Sequence, residues 1–323
     1  MKFSAKNIFL SLVFSVAFSS FVAAQDYPTK PIRLIVPYPP GGGTDFVARI
    51  VAQKMPDLIG QNIVIDNRAG AAGLVGTELA ARAPADGYTL LLVDSSLPIN
   101  VSFYKGAKYD AIKDFDPITD VADTPYMIVV APNGPYQSLA DVIKTAKAQP
   151  GKINFGSGGN GSGSHLTGEL FQIRAGVKLT HVPYKGVGLG ITDVIAGQIQ
   201  TTFTSAPPAV GLIKSGRIKA LAIATEKRVG MLPEVPTFAE QGVKDLVVVN
   251  WYGVASIGGT PKYALDKLHA ALMKVIAMPD VKERLAQGAL EPAPMTQQAF
   301  RKLIADELTR WALVVKSAGV KAE

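Results

Sequence analysis

The side chains that could move a proton or bind a metal are few and poorly partnered. His165 and Glu169 lie four residues apart, a spacing that puts an imidazole and a carboxylate on one helix face, where a third ligand could complete a metal site. His181 is only a conjectural third ligand, and His269 falls in an amphipathic C-terminal stretch. Ser162, His165 and Asp193 are the residue types of an acyl-transfer triad, but no G-x-S-x-G turn surrounds the serine. Cysteine is absent, as are His-Glu-x-x-His and a phosphate-binding loop ending in Lys-Ser or Lys-Thr. Gly156, Gly158 and Gly161 fit the dinucleotide fingerprint, yet no acid stands about twenty residues on to hold a ribose, and the acid beyond that point is Asp193. What remains is neutral and polar: Thr44, Ser95, Ser96, Ser157, Asn160, Ser162, Thr204 and Ser205. Such groups orient and hold a ligand but do not exchange protons near neutral pH. The expected chemistry is therefore binding, with no catalytic residue, no metal and no cofactor.

The elements that must position these groups follow an alternating pattern. Ile32–Val36 reads as a strand, Pro37-Tyr38-Pro39-Pro40-Gly41-Gly42-Gly43-Thr44-Asp45 as a glycine loop, and Phe46–Met55 as a helix capped by Thr44 or Asp45. Glycines let backbone N–H groups approach a ligand, and a helix start favours an anion. A strand (Asn62–Asp66), a small-residue loop (Asn67–Gly73), a helix (Leu74–Ala83) and a strand (Tyr88–Val93) ending in Asp94-Ser95-Ser96 follow. The β-α-β-α-β order predicts parallel pairing with helical crossovers.

The same order recurs from Ile153. A short strand meets Gly156–Ser164, then come a helix (His165–Arg174), a strand (Leu179–Val182), the loop Pro183–Gly188 and a helix around Thr192–Ala196. A third strand, Gln200–Phe203, then ends in Thr204-Ser205-Ala206. Two similar α/β domains are expected, each with its ligand loops at the carboxyl ends of its strands. Asp110–Thr124 reads as a turn-rich connection before a strand at Tyr126–Val130. Leu246–Ser256 reads as a long return strand, and Pro261–Ala277, Pro279–Gln287 and Thr296–Ser317 as amphipathic helices. Crossings near Asp123–Val130 and Val247–Ala255 would make a two-segment hinge.

At 323 residues the chain is long enough for two domains. Lys2 and Lys6, the apolar run Ile8–Val22, and Val22-Ala23-Ala24 before Gln25 read as a secretory leader, residues 1–24. The mature protein is thus expected to be exported, and a pair of this size can do without disulfides. The formal charge of +7, part of it in the leader, is dispersed without basic runs, which argues against nucleic acid and mildly favours an acidic small molecule. Without an arginine in the cleft, a carboxylate would be held by backbone amides, hydroxyls and ordered water rather than by a bidentate fork.

Several ordered motifs resemble the substrate-binding proteins of tripartite tricarboxylate transporters, the Bug-type receptors. They include Tyr27-Pro28-x-Lys30-Pro31-Ile32-Arg33, Pro40–Asp45, Asn67–Gly73, Asp86-Gly87-Tyr88-Thr89-Leu90-Leu91 and Gly156–Ser162 with His165-Leu166. Val182–Gly186, Ser215–Ala222 and Leu232-Pro233-x-Val235-Pro236-Thr237 continue the match. The resemblance implies an α/β fold of two domains, the type II periplasmic-binding-protein or Venus-flytrap arrangement, joined by two crossover strands. It implies a periplasmic monomer that captures a small carboxylate for membrane permease subunits. The domains would be 25–123 with 250–323, and 124–249. By motif, the ligand contacts would be Tyr38, Gly41, Gly42, Gly43, Thr44, Asp45, Ser95 and Ser96 in the first half. In the second half they would be Ser157, Gly158, Asn160, Ser162, His165, Thr204, Ser205 and Ala206. Two departures stand out: many relatives carry Asp where this chain has Thr204, and a Thr-Ser-Gly-like segment where it has Asp94-Ser95-Ser96.

Overall fold

A computed structural model describes residues 26–320, so the leader expected at 1–24 lies outside the described residues. The first half is β1 (Ile32–Val36), α1 (Gly43–Lys54), α2 (Pro56–Ile59), β2 (Ile63–Asn67), α3 (Leu74–Ala81), β3 (Thr89–Asp94) and α4 (Ser96–Phe103). A long strand, β4 (Phe115–Val130), leads to α5 (Leu139–Ala148), β5 (Asn154–Ser157), α6 (Gly163–Ala175), β6 (Thr180–Pro183) and α7 (Val187–Ile195). Then come β7 (Thr201–Ser205), α8 (Pro207–Lys214) and β8 (Lys219–Ile223). The return strand β9 (Val249–Ile257) precedes α9 (Lys262–Ala277), α10 (Pro279–Gln287), β10 (Glu291–Pro292) and α11 (Gln297–Ala318).

Two lobes share one continuous strand path, β2-β1-β3-β9-β4-β7-β5-β6. In the first lobe β1 pairs in parallel with β2 and β3, and in the second β5 pairs in parallel with β6 and β7. The repeated order expected from the sequence is present as two parallel three-strand units, each with its opening strand in the centre. Short apolar strands follow from burial on both faces. Along β1 and β3, Ile32, Leu34, Val36, Leu90 and Leu92 enter one core, and Ile35, Leu91 and Val93 the opposite one. The second lobe has its own pair of cores, one around Phe155, Phe171 and Phe203, the other around Met127, Val129 and Ile191.

The connection expected at Asp110–Thr124 is different in fact. From Phe115 the chain is already strand, and β4 is one 16-residue element. Its first part pairs antiparallel with β9 as far as Pro125 opposite Val249, and from Tyr126 it pairs with β7. Charged and proline residues there looked like a turn, but two register shifts absorb them, beside Pro117–Thr119 and Asp120–Ala122. Asp120 is fully buried, and among the described residues neither carboxyl oxygen accepts a hydrogen bond; burial first, then the Asp123 carboxylate, holds it well above the usual carboxylate range. The two crossings therefore sit at Thr124–Tyr126 and around Val248–Asn250, where Tyr126 N–H donates to Val248 O and Val248 N–H to Ala224 O.

The last helix adds a third link. Phe300 and Ile304 near its start belong to a core of the first lobe, while Trp311 and Val315 near its end belong to a core of the second. At 22 residues α11 spans about 33 Å, enough to run past the hinge. Among the described residues no helix is long and apolar enough to cross a membrane.

Candidate ligand-binding site

The loop after β1 is held open by its own side chains. Gly41 takes a positive φ of 88° and Gly42 is extended, so α1 starts at Gly43 with Gly42 as N-cap. Thr44 and Asp45, expected as caps, lie inside the first turn. Asp45 instead braces the loop from behind: its carboxylate accepts from Gly41 N–H (3.0 Å), Arg49 Nε (2.7 Å) and Asn67 Nδ2 (3.1 Å). Burial works against its charge, but these bonds hold the carboxyl below its usual range. With all that engaged, Asp45 braces the loop and does not line the cleft.

The loop after β5 is built similarly. Ser162 is the N-cap of α6, its Oγ accepting from His165 N–H at 3.2 Å, and Ser164 Oγ accepts from Gly158 N–H at 2.9 Å. His165 turns inward: its Nδ1 accepts from Gly161 N–H at 3.1 Å, and its ring stacks on His181 at 3.8 Å. Burial, then the neighbouring His165 ring, pushes His181 down to about 3, and its Nε2 pairs with Ser157 Oγ at 2.6 Å. Asp193 accepts from Tyr184 Oη at 2.6 Å. The Ser162-His165-Asp193 grouping is thus not assembled as a relay, because each member is bonded elsewhere. Glu169 does approach His165, at 3.6 Å, but among the described residues no three His, Cys, Asp or Glu side chains gather as a metal site.

Between the lobes lies a cavity of about 500 Å³. The first lobe lines it with Tyr38 to Thr44, Ala69 and Asp94, the second with Gly158, Ser162 to Ser164, Lys185 to Leu189, Thr192 and Ser205. The floor comes from the crossing strands, as Tyr126, Asn250 and Tyr252. Of the sixteen candidates, Tyr38, Gly41, Gly42, Gly43, Thr44, Gly158, Ser162 and Ser205 line this space. Asn160 lines a smaller adjoining cavity of about 330 Å³, and its carbonyl accepts from Tyr104 Oη at 2.6 Å across the cleft. Asp45, Ser95, Ser96, Ser157, His165, Thr204 and Ala206 do not line it; they are buried one layer behind.

The hinge repeats one contact twice. Tyr252 Oη, on β9, donates to Ser205 Oγ at the end of β7 (3.1 Å), and Tyr126 Oη, on β4, lies 3.3 Å from Ser95 Oγ just after β3. Each tyrosine projects from a crossing strand in one lobe to a serine at the tip of the other lobe's third strand. A Cβ at Gly43 would overlap the Tyr252 hydroxyl, and one at Gly163 the Tyr126 hydroxyl. The helix starts can reach the cleft floor because both open on glycine.

The pairing is unequal at one position. Where the second lobe has Thr204, whose Oγ1 donates to the Ser205 carbonyl, the first has Asp94. Asp94 is 6% exposed, and its Oδ1 accepts from Ser96 Oγ and Ser96 N–H. Burial pushes its carboxyl up to about 6, against the opposing pull of Ser96 and Thr44. Among the lining residues, Asp94 and Lys185 are the charged ones. Lys185 adds a cation to a lining expected to offer amides, hydroxyls and water. Tyr126, Asn250 and Tyr252 were not among the candidates, because their place on the cleft floor depends on the pairing of β4 with β9.

Residues 47–320 match the model of the tripartite tricarboxylate transporter family receptor. Protein BugT of Bordetella pertussis is 38% identical over 302 residues, covering 93% of this chain and 93% of that protein. Among solved structures, the R. palustris protein Rpa4515 with adipate superposes with a TM-score of 0.88 at 32% identity, covering 91% of this chain and 99% of that one. MatC from Rhodopseudomonas palustris with bound malate gives 0.85 at 28%, covering 90% and 100%. The two-lobed architecture, the glycine-opened helix starts and these similarities agree, and the chain belongs to the tripartite tricarboxylate transporter receptor family.

Proposed function

We propose that this protein is a periplasmic solute-binding receptor that captures a small carboxylate between its lobes and presents it to permease subunits. The observation that supports this most is the cavity between the lobes, with the first turns of α1 and α6 both opening on it. First-turn N–H groups have no partner within their helix and favour negative charge. Rpa4515 with adipate and MatC with malate are relatives of the same architecture. The contacts we assign are Tyr38, Gly41 to Thr44, Gly158, Ser162 and Ser205, with Asp45, Ser95, Ser96, Ser157, His165, Thr204 and Ala206 shaping the loops behind them. The lobes would divide at 123/124 and 249/250, and the receptor would work as a monomer.

A thermal-shift panel of dicarboxylates, aromatic acids and amino acids tests this reading, because a ligand at a hundred times its Kd stabilises the native state by about 2.7 kcal/mol. At least one carboxylate should raise the melting temperature, and NMR of the mixture should show it unchanged after prolonged incubation. Turnover at catalytic protein concentration would make the cleft an active site instead, and no shift with any carboxylate would remove the receptor reading.

A further inference from the structure

The cavity is bipolar. The second lobe lines it with the start of α6 and Lys185; the first lobe contributes a single acid, Asp94, at the tip of β3 beside Thr44 in the first turn of α1. Asp94 is almost wholly removed from water and yet lines the space where a ligand would sit. The groups around its carboxyl are neutral: the Ser96 and Thr44 hydroxyls and the phenols of Tyr38, Tyr126 and Tyr252. Among the described residues, no cation bonds to Asp94. A buried charge without an opposite partner is costly, and the cost is removed when a ligand supplies the missing charge. A plain dicarboxylate would satisfy the positive side and bring a like charge toward Asp94. The other lobe holds Thr204 at the matching position, so the asymmetry is a property of this chain's own repeat.

We infer that Asp94 selects a ligand carrying a protonated amine together with its carboxylate, the ammonium facing Asp94 in the first lobe and the carboxylate facing Lys185 and the start of α6 in the second. This deepens the receptor reading and rests on it. The ammonium would donate to the Asp94 carboxylate while Lys185 and the first-turn amides of α6 take the anionic end, which fixes the ligand's direction in the cleft.

The test compares acids that differ only by the amine: aspartate with succinate, glutamate with glutarate, and 4-aminobutyrate with butyrate. Each is titrated calorimetrically into the wild-type protein and into Asp94→Asn at pH 7.5. In at least one pair the amino acid should bind tenfold or more tightly than its partner, and Asp94→Asn should cut that advantage to less than threefold. The melting temperature of the variant is recorded alongside; if it does not fold, the wild-type pairs decide alone. Binding of the amine-free acids as tightly as, or more tightly than, their amino partners overturns the assignment while leaving the receptor reading in place. An advantage that survives Asp94→Asn overturns it too. Failure of all six compounds, with no response in the wider carboxylate panel, removes both readings.

Discussion

Asp94 is the residue at which stability and binding pull apart. Its carboxyl titrates near 3.8 when unfolded and at about 6 when folded, so between those values the native state holds the extra proton. Stability therefore falls as pH rises through that window, and above pH 6 the full penalty of about 3 kcal/mol is in place. Asp94→Asn, neutral at every pH and able to keep the Ser96 bonds, should raise the melting temperature at pH 7.5, with the gain gone by pH 4. A variant that melts lower than wild type at pH 7.5 would contradict the buried-charge assignment. The sequence made some of these roles readable and not others. Gly41 to Thr44, Gly158 and Ser162 were legible as cavity-lining positions because loops from a strand into a helix lie at the carboxyl edge of the sheet. Asp45 and His165 were not, because an acid or imidazole in a first turn looks the same whether it faces a ligand or a loop amide. Tyr126 and Tyr252 sit within apolar runs, and their inward direction depends on a pairing of β4 with β9 that no local pattern carries.

At the scale of elements, the two helix starts depend on having no side chain. Gly43→Ala and Gly163→Ala each place a methyl where a buried tyrosine hydroxyl stands. Overpacking of this kind costs about 1–3 kcal/mol, and it moves the cleft floor as well. Each variant should lose at least tenfold in ligand affinity while showing a native circular dichroism spectrum. Gly211→Ala, in α8 with open space around it, is the matched control and should be neutral or slightly stabilising. Equal affinity for all three proteins would show that the glycines serve only the turns. The β-α-β-α-β order of both halves could be read directly from apolar runs and glycine loops. The long strand β4 could not, since Pro117 and Asp120 in a central strand are tolerated only through register shifts that pairing with β9 creates.

At the scale of the molecule, the described residues join the lobes through two crossing strands and one helix, and the Tyr–Ser pairs form the shared floor. Trp311 is fully buried in the second lobe, with its Nε1–H donated to Glu307 Oε2 at 2.5 Å. Trp311→Ala should cost about 3–5 kcal/mol. The loss should appear as a second unfolding transition by calorimetry if α11 couples the lobes, whereas one sharp transition at a lower temperature would show that β4 and β9 suffice. The central claim is that both lobes hold one ligand, and the most direct test is a calorimetric titration with the acid that gives the largest thermal shift. Wild type should bind one molecule per chain. Thr44→Val in the first lobe and Ser205→Ala in the second should each weaken binding at least tenfold, about 1.4 kcal/mol, without changing the stoichiometry. A variant in either lobe that leaves affinity untouched, or a stoichiometry of two, would contradict a single site shared across the cleft.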